Sequence, residues 1–498
     1  LTPLERAKNA IAKFDRLSNS EVITPDKICK EMIDSLPLEA LKAGKILDIA
    51  SKSAEFAFAV YSRLIHEVGH DELKDMIYSI PTSSHAYEFT RKIYATLGLN
   101  IDNISANFNS YDIVNIVTEN GEIDYLKISK ILGQNKKFSS IKIEDKIKGG
   151  KVMKFNVIVG NPPYNELVGN QGTNKALGSQ LFPSFIKMSI NLKPLFVSLI
   201  TPSKWFTGQG QDRSFPSLRT FISENNHIKE IHNYLNGKEV FGEVNTGSVN
   251  YFVWDKNYIG DTRFYEINKS KITYSDRPLF EKDMDEILSM NSMVSILRKV
   301  VSNNFESMMN IVSERNPYKV PDTNSKLEKE MVVKEDAEHS IKIMCAFERI
   351  MFVKKEVIRE NINLINKYKV FTSKMNGGAG TLMDDKEVSI IGRAFIGEPG
   401  SICSGALVSI GNFDTKEECG NLYKYMQTKF LRFMVGLMKS SQAIYRNVYK
   451  YVPLQDYTTN SDIDWSKPIN EIDKQLYLKY NLSEEEIDLI ENKIKSMD

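Results

Sequence analysis

Long apolar runs are missing from this 498-residue sequence. No stretch approaches the roughly 18 uncharged apolar residues of a membrane-crossing helix, so no helical span and no membrane partner is expected. Cysteine is scarce. Cys29, Cys345, Cys403 and Cys419 are scattered, with no CxxC pair, which excludes a disulfide framework and fits a reducing, cytoplasmic setting. The six histidines form no HExxH pair, so no metal site is expected. Charge of one sign is absent as well: 65 Lys and Arg against 64 Asp and Glu leave a formal +1. A nucleic-acid surface has then to come from local clustering. The start, LTPLERAKNA, lacks the apolar core of a signal peptide. It also lacks an initiator Met, which raises the expectation of a processed chain or a missing N-terminal region. What is present is ordinary for a folded protein: 42% hydrophobic and 26% charged residues, at a length that suits two to four domains. Collagen, coiled coil and global disorder are excluded.

The first ~265 residues alternate apolar strand-like runs with amphipathic helical stretches. Lys45–Ala50, Met76–Ile80, Ser110–Val117, Phe155–Val159, Leu195–Ile200 and Val249–Trp254 read as strands. Phe56–Ile65, Ala86–Leu97 and Leu181–Leu192 read as helices between them. Strands separated by helices predict a parallel, doubly wound α/β sheet, which binds ligands beyond the carboxyl ends of its strands. After a boundary near 265–290 the pattern changes. Lys282–Val300, Ala337–Asn366, Lys416–Met438 and a tail from Ser483 predict helices. Val388–Ile391 and Leu407–Ile410 are short β-like pieces. A polar stretch, Arg315–Lys329, separates the first two helices, and Asn376-Gly377-Gly378-Ala379-Gly380 reads as a turn.

The clearest strand, Phe155–Val159, runs into Gly160-Asn161-Pro162-Pro163-Tyr164. That string suits chemistry on a ring amine. An exocyclic amine conjugated into a ring is a poor nucleophile, because its lone pair is delocalised. An Asn oxygen and a backbone carbonyl can both accept from that NH2, favour its pyramidal form and aim the lone pair at an electrophilic methyl. Prolines fix φ and remove N–H donors, which stiffens the loop that presents the Pro162 carbonyl. Tyr164 offers a flat face for a flipped-out base, worth about 1–3 kcal/mol of stacking. A plain Pro turn explains the four residues alone; their place at the end of a buried strand favours the functional reading.

The chain resembles the gamma-class adenine-N6 DNA methyltransferases, above all the methylase and target-recognition portion of type IIG and related restriction–modification enzymes. The resemblance covers nearly the full length. Asn19-Ser20-Glu21-Val22-Ile23-Thr24-Pro25 matches the family's opening motif, and Leu47-Asp48-Ile49-Ala50-Ser51-Lys52-Ser53-Ala54-Glu55-Phe56 matches its cofactor loop. Leu181–Phe185, Leu199–Phe206 and Glu239–Val244 match downstream segments. The resemblance implies a Rossmann-like doubly wound methyltransferase sheet over 1–275, followed by a mixed α+β target-recognition domain over 276–498. It implies S-adenosylmethionine as cofactor, held near Thr24, Pro25, Asp48, Ala50, Ser51, Lys52, Ala54 and Glu55. It places a flipped adenine at Asn161, Pro162, Pro163 and Tyr164, with Phe241 on the other face.

The chain departs from the family in the cofactor loop, where Lys52 and Ala54 stand in place of glycines that let backbone approach a ligand. Lys52 either reinforces a contact with the methionine carboxylate or points to solvent. Asp48 either pairs with the methionine amino group or serves as a turn aspartate. The acid that usually binds the ribose falls near Pro81, leaving Ser83, Ser84 or Glu88 as substitutes, and Asn107 or Asn109 stands where an Asp usually meets the adenine amine. In the second half, Ser441, Gln442, Arg446, Asn447 and Lys450 lie in a basic, aromatic stretch suited to base edges and phosphates, and Lys374, Asn376 and Arg393 form a second cluster. No nuclease motif is evident: Glu348, Lys354 and Glu356 read as charges on a helix. Cleavage would then belong to a nuclease or helicase subunit or to the missing region. Three readings follow: a methyltransferase acting on double-stranded DNA, a catalytically silent DNA-recognition subunit, and a protein or RNA methyltransferase.

Overall fold

A computed structural model describes residues 1–14, 22–144, 153–165, 180–208, 213–242, 244, 246–269, 271–302, 305–321, 324–346, 349–375, 382, 386–439 and 443–497. The chain divides into two compact units, Leu1–Ser289 and Met290–Asp498. The expected boundary at 275 falls inside a strand, and the segment after it still belongs to the first unit. Leu279 and Ile287 join that unit's core, and Arg277 donates to the Leu288 carbonyl.

The first unit is built on one eight-stranded sheet. Its strands are β1 (Lys45–Ser51), β2 (Ile77–Pro81), β3 (Phe155–Gly160), β4 (Phe196–Pro202), β5 (Ile228–Tyr234), β6 (Val249–Asp255), β7 (Thr262–Asn268) and β8 (Lys271–Arg277). Their order is β2-β1-β3-β4-β6-β5-β7-β8. The first four are parallel, in the register Asp48↔Val159 and Gly160↔Leu199. β6 then enters antiparallel between β4 and β5, so the sheet is mixed where the sequence predicted a parallel one. β1, β3, β4 and β6 are buried along nearly their whole length, as expected for strands covered on both faces. β8 is an exposed edge strand with an alternating, polar sequence.

Ser110–Val117, expected as a strand, begins instead with the helix Ser110–Val114. Asn109 and Asp112 form a reciprocal capping box there, and the cap outweighs the β-branched residues that follow. At this edge of the sheet only an isolated bridge, Ser79↔Ile104, extends beyond β2 among the described residues.

Among the described residues, the second unit holds two small sheets and five longer helices. β9 (Met331–Val332), β10 (Ile341–Met344), β11 (Ile350–Val353) and β14 (Ser401–Cys403) form one sheet, and β12 (Tyr368–Ser373), β13 (Ala394–Gly397) and β15 (Leu407–Phe413) the other. The helix expected over Ala337–Asn366 is therefore corrected to an antiparallel β10–β11 pair followed by two short 3-10 turns, Lys355–Val357 and Ile362–Leu364. Ile341, Ile343 and Lys342 alternate across β10, which is strand periodicity. The expected helix Lys282–Val300 is confined to Asn291–Val301. The expected Lys416–Met438 helix breaks at Thr428, whose extended backbone ends Lys416–Gln427 and whose hydroxyl caps Lys429–Met438. At Val388–Ile391 there is no strand, only the bridge Val388↔Ile494. The remaining helices are Ile469–Lys479 and Glu484–Lys493.

Candidate active site

β1, β2, β3 and β4 run parallel, so their carboxyl ends share one edge of the sheet. β3 closes on Gly160 at φ +153°, where a Cβ would meet Ile49 Cγ2 at 3.2 Å and Asp48 Oδ1 at 3.4 Å. The end of β3 thus lies against the end of β1. Asn161, Pro162, Pro163 and Tyr164 follow, all buried.

The Asn161 side chain is oriented by one bond. Its Nδ2 donates to the Val22 carbonyl at 2.8 Å, and its Oδ1 is buried with no hydrogen-bond partner. The Asn161 carbonyl accepts from Lys52 Nζ at 2.7 Å. Tyr164 meets Phe182 edge-to-face, with ring centres 6.3 Å apart. Its hydroxyl has no partner, and burial pushes the phenol well above its ordinary range. Phe241 is buried at the end of the short helix Lys238–Phe241 and makes no ring contact with Tyr164 among the described residues.

The turn after β1 carries buried charge. Asp48 is 1% exposed. Its Oδ1 accepts from the Ala50 amide at 3.3 Å, and its Oδ2 has no partner. Burial, and then the neighbouring Glu55, push the Asp48 carboxyl well above the usual carboxylate range. The Ser53 amide and hydroxyl donate to Glu55 Oε2 at 2.8 and 3.0 Å, while Oε1 has no partner. Ser51 shares a hydrogen bond with Thr90. Ala54 takes φ +60°, the left-handed region that costs a non-Gly residue about 1–2 kcal/mol. The Lys52 side chain does not point to solvent; it is 1% exposed and reaches the loop after β3. Thr24 of the opening motif has its hydroxyl buried and unpartnered, and Pro25 precedes the helix Asp26–Asp34.

Other expected residues are engaged elsewhere. Ser83 Oγ accepts from the Ala86 amide and caps the helix Ser84–Leu97. Asn107 is exposed and donates to the Ser139 and Ile141 carbonyls at 2.8 and 3.2 Å, tying two loops together. Glu88 is exposed on the helix that Ser83 caps. Thr82 was passed over in the sequence. Its amide donates to the Ser51 carbonyl at the joint of β1 and β2, and its Oγ1 is buried without a partner. A hydroxyl directly after a strand end was the available signal. Asn19, Ser20 and Glu21 of the opening motif lie outside the described residues.

In the second unit, Lys374, Arg446 and Asn447 line one cavity of about 280 Å³, together with Glu314, Arg315 and Tyr445. The two stretches meet through the bridge Met375↔Ala443 and the Ile444 amide on the Lys374 carbonyl. Arg446 pairs with Glu314 at 2.7 Å and donates to the Met309 carbonyl at 3.0 Å. Arg315 opens the polar stretch Arg315–Lys329 that the sequence reading placed between two helices. Arg393 and Lys450 are not among the residues lining this cavity. Asn376, Ser441 and Gln442 lie outside the described residues, as does Glu348. Lys354 and Glu356 sit on and beside the short turn Lys355–Val357, not on a helix.

Residues 75–241 match the family described as Eco57I restriction-modification methylase. The chain is 27% identical over 376 residues to an uncharacterized adenine-specific methylase of Mycoplasma pneumoniae, covering 63% of this chain and 88% of that protein. It is similar at 14% identity to the type IIG restriction endonuclease BpuSI, with a TM-score of 0.41, over 98% of this chain and 67% of that one. It is similar at 11% identity to a chain of the DrdV–DNA complex, with a TM-score of 0.44, over 91% of this chain and 58% of that one. The match to a chain of a type I restriction–modification system spans 48% of that chain, about half its length. The matched stretch runs from just before β2, through Asn161–Tyr164, to Phe241. By sequence, then, residues 75–241 are similar to the Eco57I restriction-modification methylases.

Proposed function

We propose that the chain is a site-specific DNA adenine-N6 methyltransferase that takes its methyl group from S-adenosylmethionine. The observation that carries this reading is the Asn161 amide. Its nitrogen is tied to the Val22 carbonyl, so its buried oxygen is left as a fixed acceptor without a donor. A buried acceptor left unmatched costs about 1–3 kcal/mol, and a base amine entering the pocket would relieve it. Asn161 Oδ1 and the Pro162 carbonyl accept from the two N–H groups of the adenine amine and turn its lone pair out of the ring plane. Tyr164 stacks on the base, and Phe241 covers the other face. Transfer would form the N–C bond as the donor's methyl–sulfur bond breaks, its electron pair staying on a neutral thioether sulfur, and one N–H proton would leave to water; no base is needed beforehand.

The residues around β1 fit the donor. Asp48 Oδ2 and Glu55 Oε1 are unpartnered acceptors for the methionine ammonium, and the Thr24 and Thr82 hydroxyls are buried and unpartnered as well. S-adenosylmethionine bound there supplies an electrophilic methyl group. In this reading the second unit contacts double-stranded DNA through Lys374, Arg446 and Asn447, and Arg393, Lys450, Asn376, Ser441 and Gln442 are further candidates. A nuclease or helicase partner and a cytoplasmic location belong to this reading of a restriction–modification enzyme.

The test is transfer of labelled methyl from S-adenosylmethionine to mixed genomic DNA, with Asn161→Ala and Tyr164→Ala beside the wild type. Transfer that vanishes in the variants supports the roles; full activity in Asn161→Ala refutes them. A second reading, a silent DNA-recognition subunit, is favoured by one observation: Lys52 and a left-handed Ala54 stand at the glycine positions of the donor turn. It predicts no heat of S-adenosylmethionine binding in calorimetry and no transfer to any substrate.

A further inference from the structure

Burying an ammonium costs several kcal/mol unless the group is paired and hydrogen-bonded. Lys52 is 1% exposed, and its ammonium donates at 2.7 Å to the carbonyl of Asn161, a residue 109 positions away. Asp48 and Glu55 of the same turn are buried as well.

The loop after β3 has an unusual need for such a contact. β3 ends at Gly160, and the two prolines after Asn161 have no N–H with which to hold the backbone. Asn161 is therefore gripped at two points. Val22 takes its side-chain nitrogen, and Lys52 takes its main-chain carbonyl. What remains open is Oδ1. A rotation of the Asn161 peptide would swing both Oδ1 and the Pro162 carbonyl away from a shared target.

Resting on the methyltransferase reading, we propose that Lys52 is a positioning residue that locks the base-binding loop to the donor turn through the Asn161 carbonyl. It touches neither reacting atom. It fixes the peptide whose neighbours hold the base amine, and it does so from the turn that holds the donor. A misplacement of reacting groups by about 1 Å can cost on the order of 100-fold in rate, so one such contact is enough to matter.

The experiment uses the full chain with Lys52→Met and Lys52→Arg. Three quantities are read: hydrogen exchange of the peptide spanning 155–165, calorimetric affinity for S-adenosylmethionine, and kcat and KM for labelled methyl transfer to mixed genomic DNA. For Lys52→Met the expected result is about 10-fold faster exchange at Asn161 and Tyr164. The rate kcat falls by about 100-fold, while donor affinity stays within about 3-fold, under 1 kcal/mol. Lys52→Arg, which can still donate to the carbonyl, recovers most of both. Unchanged exchange in Lys52→Met overturns the proposal. So does tighter donor binding, which would mean that Lys52 competes with the donor for the same acceptors. If the wild type transfers no methyl, the methyltransferase reading fails, and the exchange result still decides the role of Lys52. Should Lys52→Met not fold, Lys52→Gln carries the same exchange readout.

Discussion

The groups around the β1 and β3 ends and three buried charges of the second unit are satisfied to different degrees. At the strand ends of the first unit, Asp48 Oδ2, Glu55 Oε1, Thr24 Oγ1, Thr82 Oγ1 and Asn161 Oδ1 are all buried without a partner. In the second unit, the main buried charges are used up. Lys369 donates to the Leu364, Ile365 and Ser401 carbonyls at 2.8, 3.0 and 2.7 Å. Arg432 donates to the Thr428, Lys495 and Gln427 carbonyls at 3.1, 2.6 and 3.1 Å. Asp473 accepts the Lys429 and Phe430 amides at 3.0 and 2.9 Å and so closes the start of the helix Lys429–Met438. A satisfied network holds a fold together; an unsatisfied one, gathered at one sheet edge, is waiting for a ligand. Substitutions in the first unit should therefore show in activity and binding, and those in the second in stability.

The largest effect is expected at Asn161. Asn161→Ala removes a fixed acceptor from the reacting amine, a loss on the order of 100- to 1,000-fold in rate. Its stability cost is small by comparison, about 1 kcal/mol for the bond to Val22. Labelled-methyl transfer and a thermal melt on the same sample separate the two. A variant that is fully active, or one that is unfolded, would break the comparison.

Lys369→Met should show the reverse pattern. It leaves three carbonyls without their donor, and a loss of about 3 kcal/mol is expected from denaturant unfolding. The wild type also carries a pH signature. Burial pushes the Lys369 ammonium down to about 8. Between pH 8 and about 10.4 the unfolded chain keeps a proton that the folded chain has lost. Stability from this group therefore rises with pH across that window. Lys369→Met should lack that rise.

Asp473 sharpens the same point with the opposite sign. Burial pushes its carboxyl up to about 6, against about 3.9 in an unfolded chain. Its contribution is fully present below pH 3.9 and is lost as pH rises through 6. Asp473→Asn, which stays neutral, should lose less stability between pH 4 and 6 than the wild type does. The expected difference is about 2 kcal/mol by equilibrium unfolding.

The contrast also explains what the sequence could and could not show. β1, β3, β4 and β6 were legible because strands covered on both faces are continuously apolar. Asn161–Tyr164 stood out as a candidate site because four consecutive residues at a strand end carry the proposed chemistry. The helix at Ser110–Val114 was not, because a capping box at Asn109 and Asp112 competes with a β-branched run. The β10–β11 pair was misread as helix because short apolar runs fit both periods. The Lys52 contact was not legible for a different reason: its partner is a backbone carbonyl 109 residues away, and no local pattern encodes it. Thr82 was missed because attention went to the acid position beside it, where Pro81 stands.

Thr82 supplies the smallest and finest test. Its amide is already committed to the Ser51 carbonyl, so its backbone place is secured by a bond that a side-chain change leaves intact. Its hydroxyl is buried and unpartnered. If that hydroxyl serves only packing, Thr82→Val is a near-isosteric change that removes an unsatisfied polar group, and the protein becomes slightly more stable with donor binding unchanged. If it serves the donor, Thr82→Val loses one hydrogen bond to the ligand, about 1 kcal/mol or roughly 5-fold in affinity, while stability still holds or rises. Calorimetry with S-adenosylmethionine, paired with a melt in its absence, reads both quantities. A gain in stability together with a loss in donor affinity is the expected outcome, because it is the signature of a polar group kept unsatisfied in the free protein for the sake of what binds there.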